Sequence, residues 1–256
     1  MKMKIRMKLS ALLFIAFIPI FCILIDLIMS VAQTSESAIS FDVSFINQII
    51  YFSVWTTLLT SIWGIASVLS YFRKPSNKIA WAESDNVATM VMTYQLIVFF
   101  VYTVTFIAYI DDIAGFDTWF KILKSILEHW ILPVVIVTYY FLRERTSNLS
   151  WKEFLIKKAW INSIIPVFYI FFVGIRGFLI LHFPNGETNN IPIFPYRQID
   201  PTKYPVYIWL SGILSFIILP SFISTGLNFA SIKAHNKLIV NQKWNKDFDL
   251  ELRAKF

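Results

Sequence analysis

The sequence predicts an all-α, polytopic membrane protein, a bundle of six transmembrane helices with both termini cytoplasmic. Hydrophobic residues make up 57% of the 256-residue chain and charged residues only 15%, compared with about 25% charged residues in soluble domains. Apolar stretches long enough to cross the hydrocarbon core, about 20 helical residues each, occur six times. They lie near residues 9–32, 47–72, 86–110, 118–142, 159–182 and 205–232. With a polar tail over 233–256, we interpret residues 1–256 as a single transmembrane domain.

The first apolar stretch shares some features with a secretory signal peptide. Four basic residues precede it, and Ser30-Val31-Ala32 is typical of a cleavage site. However, the apolar stretch from Leu9 to Ala32 is longer than the 7–15 residues usual for the apolar region of a signal peptide. We therefore expect it to be retained as the first membrane span.

The orientation follows from the distribution of lysine and arginine. The N-terminal tail, the second and fourth loops and the C-terminal tail together hold 18 of the 23 basic residues. Cytoplasmic loops carry such an excess, so we expect a multi-pass protein of the cell membrane with both ends inside. The net charge of +7 is spread over these loops, without a compact basic patch interleaved with aromatic residues. We therefore expect the lipid bilayer, and no nucleic acid, as a partner.

Several polar residues fall within the predicted spans, in the outer half of the membrane. A charged group within a span costs about 2.5–3.5 kcal/mol on insertion scales, so it faces protein, water or a ligand. The residues concerned are Asp26, Ser53, Glu128, His129 and Arg176. Because four different spans contribute them at a similar depth, they are typical of a pocket that opens outward. The proline-rich loop over 182–204 would form an ordered cap on this side.

These residues also have structural interpretations. Asp26 and Arg176 have the charges and depth of an ion pair between the first and fifth spans. Ser53, Thr56 and Thr57 have the hydroxyl groups that favour close contacts between membrane helices. Each of these groups is therefore explained either by packing or by a functional site.

Glu128 and His129 are neighbours in sequence, so their side chains point about 100° apart around a helix. Lys124 lies one helical turn before Glu128, at the spacing of a helical ion pair. We therefore expect Glu128 to pair with Lys124 and His129 to face the cavity. The alternative is that His129 is a hydrogen-bonded histidine of the bundle without chemistry.

Most common reaction centres are absent from the sequence. Cys22 is the only cysteine, and His129 is the only deep histidine, so neither a zinc ligand set nor paired haem ligands are present. No phosphate loop, His-Glu-x-x-His or Gly-x-Ser-x-Gly motif occurs. We predict no metal and no cofactor. A hydroxyl nucleophile activated by a neighbouring histidine remains consistent with the residues present, and Ser53 lies at a depth compatible with His129.

Three short segments, together with the six spans, resemble a known family of membrane enzymes. They are Tyr51–Leu58, His129–Pro133 and Phe194–Pro201. Their order and placement resemble the integral-membrane threonine hydrolases that cleave fatty-acid esters of hydroxy fatty acids, the androgen-induced protein family, and its bacterial six-helix relatives. The resemblance implies that Ser53 occupies the position of the nucleophilic threonine and that His129 is its base.

The resulting hypothesis is a membrane-embedded hydrolase acting on a lipid or fatty-acid ester. Ser53 attacks the acyl carbonyl and His129 accepts the hydroxyl proton, with Thr56 and Thr57 as alternative nucleophiles. The residues expected to bind the substrate are Arg176, Asp26 and Glu128. Two rival hypotheses are a substrate-binding or transport subunit with an outward-facing pocket, and a non-catalytic assembly protein whose buried polar groups only specify packing.

Overall fold

The computed structural model describes residues 5–33, 40–108, 116–183 and 191–254, with the side chains of residue 5 and of residues 238–254 left aside. Within these ranges the chain is helical and forms no strand. The α-helices are α1 (Ile5–Ala32), α2 (Phe41–Ile49), α3 (Phe52–Phe72), α4 (Ala80–Glu83), α5 (Asp85–Ala108), α6 (Trp119–Ile126), α7 (Leu132–Leu142), α8 (Trp151–Lys157), α9 (Ile164–His182) and α10 (Val206–Ala254). Short 3₁₀ turns occur at Pro75–Asn77, Ala159–Ser163 and Arg197–Ile199, and a π-helical segment, Leu127–Ile131, joins α6 to α7.

Five helices among the described residues are long and apolar enough to cross a membrane. They are Arg6–Ala32, Phe52–Phe72, Asp85–Ala108, Ala159–His182 and Val206–Lys237. The predicted all-helical fold with several candidate membrane spans is therefore confirmed for the described residues. The remaining predicted span, near 118–142, is helical from Trp119 to Leu142 but is divided by the π-helical segment. Its crossing of the membrane stays a prediction.

The second predicted span begins later than expected, at Phe52 instead of residue 47. Tyr51 is extended, with φ −92° and ψ 132°, and separates α2 from α3. Aromatic side chains satisfy the backbone groups that the break leaves free. Trp55 Nε1 donates to Ile49 O at 2.8 Å, and Phe52 N donates to a tyrosine hydroxyl. Tyr169 Oη also donates to Ile50 O, and these bonds stabilise the break because free backbone groups are costly in an apolar environment.

The closest helix–helix contact joins α1 to α3. A Cβ added at Gly64 would lie 2.7 Å from the backbone nitrogen of Ala16, so the two backbones touch without an intervening side chain. Ser61 Oγ donates to Ala16 O across the same contact. Small residues at this point permit the close approach that drives helix association in membranes. The buried side chains of Leu12, Ile15 and Trp63 extend this contact into the main apolar core.

The loop after α9 forms a cap over one end of the bundle within residues 191–204. A side chain at Gly177 would collide with the ring of Phe194, and one at Gly212 would collide with the backbone of Gln198. Both collisions show that this part of the loop lies directly on α9 and α10. The predicted cap is therefore ordered from residue 191 onward, while Pro184 lies outside the described residues.

Candidate functional site

An ion pair between α1 and α6 lies at the centre of the candidate site. Lys124 Nζ lies 2.6 Å from Asp26 Oδ2. The two side chains are only 13% and 10% exposed. The structural interpretation that pairs Asp26 with Arg176 is wrong, since Lys124 takes that place. Oδ1 of Asp26 is buried without a hydrogen-bond partner.

Glu128 adds a second carboxylate to this pair. It lies one turn after Lys124 in the π-helical segment and is only 1% exposed. Its Oε1 is buried and has no hydrogen-bond partner in the part of the chain that the structure describes. Glu128 interacts electrostatically with both Lys124 and Asp26. The expected interaction of Glu128 with Lys124 is therefore present, but Lys124 also pairs with Asp26. We call Asp26, Lys124 and Glu128 the buried charge cluster.

The π-helical segment has an identifiable cause in the sequence. Pro133 lacks a backbone N–H, and its ring excludes the regular contact with the carbonyl four residues earlier. The backbone N–H of Leu132 instead donates to Leu127 O, five residues earlier. The widened turn contains both Glu128 and His129. Segments of this kind are rare and occur frequently at functional sites.

His129 is held against α5, and the charge of Lys124 also acts on its ring. Its ring stacks on Tyr102, with ring centroids 3.7 Å apart and planes 20° from parallel. The neighbouring Trp130 strengthens the contact, because its Nε1 donates to Thr103 Oγ1 at 3.1 Å. His129 is 8% exposed, and its Nδ1 has no hydrogen-bond partner.

Ser53 lies in a different environment, at the first turn of α3. Its backbone carbonyl accepts a hydrogen bond of 2.8 Å from Thr56 Oγ1. Thr56 is therefore engaged within its own helix, whereas Thr57 Oγ1 is buried without a partner. Tyr196 from the cap accepts a hydrogen bond from the N–H of Phe52, next to Ser53.

The predicted nucleophile and base are not joined in the described part of the chain. The π-helical segment packs on α1 and α5, and no hydrogen bond links Ser53 to His129. The environment of Ser53 is aromatic, since Phe52 contacts Tyr94 and Tyr169 edge to face. The catalytic pair therefore stays a prediction.

Arg176 is bound to the cap. Its Nη1 donates to Pro192 O at 2.9 Å and to Ile193 O at 2.5 Å. These carbonyls belong to a loop whose prolines prevent regular helical pairing, so they are free to accept from a side chain. Arg176 thus fastens the cap to α9, and the structure describes no contact between it and the buried charge cluster.

A second polar centre, which the sequence did not predict, surrounds Asp85 at the start of α5. Asp85 Oδ2 accepts hydrogen bonds from the backbone N–H groups of Thr146 and Ser147 at 2.8 and 2.6 Å and from both hydroxyls at 3.1 Å. Arg143 Nη2 lies 3.3 Å from Asp85 Oδ1. The signal available was an acidic residue at a helix start facing a loop rich in arginine.

The same centre reaches α10 through Arg145. Its Nη2 donates to Asn228 Oδ1 at 2.7 Å, and its Nη1 donates to Ser231 Oγ at 2.8 Å. The loop between α7 and α8 is thereby fixed to both α5 and α10.

Among residues 5–33, 40–108, 116–183 and 191–254, no three His, Cys, Asp or Glu side chains group closely enough to hold a metal ion. Comparison with known protein families, with curated proteins and with solved structures found no match. The resemblance to the membrane hydrolases therefore stays a prediction from three short segments.

Proposed function

We propose that this protein binds a proton or a small monovalent cation inside a transmembrane bundle, and uses it in binding or transporting a substrate. The observation that supports this proposal is the composition of the buried charge cluster. Two carboxylates, Asp26 and Glu128, share one ammonium group, that of Lys124. When all three are ionised, the cluster carries one surplus negative charge.

A surplus charge in a buried site costs several kcal/mol. A proton on one carboxylate, or a bound cation, removes that cost. Glu128 is the better position for either, because its Oε1 is buried without a partner while Asp26 already holds Lys124 at 2.6 Å. Ionisable groups in membrane spans are characteristic of proton and ion pathways.

We also propose how the chain crosses the membrane. Residues 119–142 form the fourth of six spans, and both termini lie in the cytoplasm. The buried charge cluster then lies in the outer half of the membrane, near the cap, where a substrate enters from outside. Support comes from the continuous helical character of these residues and from the distribution of basic residues.

The rival proposal, a lipid-ester hydrolase with Ser53 as nucleophile and His129 as base, rests on the resemblance alone. A serine-reactive fluorophosphonate probe applied to membranes tests it. Labelling that is lost in both Ser53→Ala and His129→Ala would establish the hydrolase. We expect no such labelling, because the environments of Ser53 and His129 differ.

The proposed binding site is tested by infrared spectroscopy of purified protein at neutral pH, in choline, sodium and potassium buffers. In choline buffer we expect the carboxylic-acid C=O band of a protonated Glu128, which Glu128→Gln lacks. If an alkali cation binds, that band is replaced by a carboxylate band in the corresponding buffer. Glu153→Gln, at an exposed position of α8, is the matched control and keeps both responses. An ionised Glu128 in choline buffer would contradict the proposal.

A further inference from the structure

A separate polar cavity lies at the opposite end of the bundle, where the basic loops gather. Its volume is about 160 Å³. The polar side chains in its wall come from α1, α3, α7 and the segment between α3 and α5, and they include Lys8, Ser67, Lys78, Glu83, Tyr139 and Arg143. None of these residues belongs to the buried charge cluster.

The charges of the wall favour an anion. Three cationic groups face one carboxylate, that of Glu83. Lys78 Nζ lies 4.0 Å from Glu83 Oε2, which is the outer limit of an ion pair, and Lys8 forms no ion pair with any described residue. Arg143 also forms an ion pair outside the cavity, because its Nη2 lies 3.3 Å from Asp85 Oδ1. Asp85 and its second arginine, Arg145, lie outside the wall, and adding this pair to the count leaves the surplus of two positive charges unchanged.

An unsatisfied hydroxyl in the same wall points to a ligand. Ser67 is 5% exposed, and its Oγ has no hydrogen-bond partner among the described residues. Ser70, one turn later on α3, shows the contrast, because its Oγ donates to Glu83 Oε1 at 2.7 Å and accepts from Ile79 N at 3.2 Å. A buried hydroxyl without a partner costs about 1–3 kcal/mol. A bound oxygen atom in the cavity removes that cost.

We propose that this cavity binds a phosphate monoester. The surplus of two positive charges matches a phosphate monoester, which carries about −1.5 to −2 charges at neutral pH. Lysine is a common phosphate ligand, and the hydroxyl of Ser67 supplies a further donor. A volume of 160 Å³ is below the roughly 300 Å³ of pockets for drug-sized ligands, so the cavity takes a small headgroup. The phosphate belongs either to a free metabolite or to an anionic lipid of the adjacent leaflet.

The experiment measures the binding of two probes to the purified full-length protein in detergent. Glycerol 3-phosphate represents the free ester, and phosphatidic acid in mixed micelles represents the lipid, with phosphatidylcholine as the zwitterionic reference. We expect one of the two phosphate monoesters to raise the melting temperature of the wild-type protein. Stabilisation by glycerol 3-phosphate identifies the soluble source, whereas stabilisation by phosphatidic acid alone identifies the lipid.

Variants of the two lysines in the wall test whether the phosphate monoester binds in this cavity. Lys8→Gln and Lys78→Gln each weaken the affinity about tenfold, since each removes a charge-assisted hydrogen bond. Lys152→Gln, at an exposed position on α8, is the matched control and leaves the affinity unchanged. Equal weakening in Lys152→Gln, or no stabilisation of the wild-type protein by either monoester, would overturn the proposal. Glu128→Gln keeps the binding, so this outcome is independent of the proposed function.

Discussion

Lys124 Nζ and Asp26 Oδ2 are 2.6 Å apart and join α6 to α1. The two residues are separated by 98 positions in the sequence. The ammonium group also interacts with Glu128 one turn later, so it is shared by two acidic side chains from different parts of the chain. Lys124 is therefore the residue on which the electrostatic balance of the buried charge cluster depends.

The cluster predicts an order of stability among its variants. Lys124→Met removes the cation of the cluster and leaves the Asp26 carboxylate buried without it, so we expect a loss of about 3–5 kcal/mol in the free energy of unfolding. Asp26→Asn costs less, because Glu128 can then release its proton and balance Lys124 as a carboxylate. Denaturant titration in detergent micelles measures both. Lys152→Met, at an exposed position, is the control for the loss of a lysine, and a larger cost for Asp26→Asn than for Lys124→Met would contradict the prediction.

Gly64 permits the contact between α1 and α3, and Gly64→Ala is expected to separate them. The new Cβ would lie 2.7 Å from Ala16 N and 2.8 Å from its Cα, and backbone atoms cannot move aside as a flexible side chain does. We expect a loss of about 1–3 kcal/mol from overpacking, measured as a lower melting temperature.

Two other glycines supply the control for this substitution. A Cβ at Gly174 or at Gly226 meets nothing within 4 Å. Gly174→Ala and Gly226→Ala also lie within helices, so they change helix propensity in the same way as Gly64→Ala. If all three substitutions had the same effect, the close contact at Gly64 would not be the cause.

Asp85 is predicted to be essential for folding at the basic end of the bundle. Asp85→Asn replaces a carboxylate oxygen that accepts two backbone N–H groups and two hydroxyls, and it leaves two buried arginines with less compensation. We expect a loss of about 3–5 kcal/mol, measured by denaturant titration. Asp42→Asn, at an exposed position in α2, is expected to stay within about 0.5 kcal/mol of the wild-type protein.

The burial of the charged residues could be predicted from the sequence, but the partners of Asp26 could not. The cost of a charge in a membrane indicates that Asp26 and Glu128 face protein, and both are buried. Local spacing favoured Glu128 as the partner of Lys124, because that rule considers only one helix. The Asp26–Lys124 pair depends on how α1 and α6 pack, which apolar periodicity does not specify.

The polar centre around Asp85 was missed for a related reason. Its members lie at helix ends and loops, where charged residues carry no membrane cost and give no signal of burial. Only the folded chain brings Arg145 to Asn228, 83 positions later. The π-helical segment has a cause that is visible in the sequence, Pro133. Its exact position depends on which backbone carbonyl accepts the hydrogen bond of the widened turn.

The carboxylate of Glu153 is predicted to titrate below its ordinary range. Hydrogen bonds from the hydroxyl and backbone N–H of Ser150 lower the pKa of Glu153, and Lys157 adds to this effect. Because the pKa is lower in the folded chain, the contribution of Glu153 to stability is present above its ordinary pKa and is lost as the pH falls through the lowered value. In Ser150→Ala we expect the pKa of Glu153 to rise, measured by carbon-13 NMR of labelled glutamate. An unchanged titration would show that Ser150 is not the main cause.

The orientation of the chain is predicted by its basic loops and can be tested with single cysteines. Cys22 is buried, so the wild-type protein is expected to stay unlabelled by a membrane-impermeant maleimide. Lys203→Cys, in the cap, is expected to react in intact cells, because the loops on that side carry few basic residues. Asn77→Cys and Asn148→Cys lie in exposed loops on the basic side and are expected to react only after lysis. The positive-inside rule depends on charges close to the ends of spans, and most of the basic residues of this chain lie there. The reversed labelling pattern would contradict the predicted orientation. It would also contradict the placement of the buried charge cluster in the outer half of the membrane.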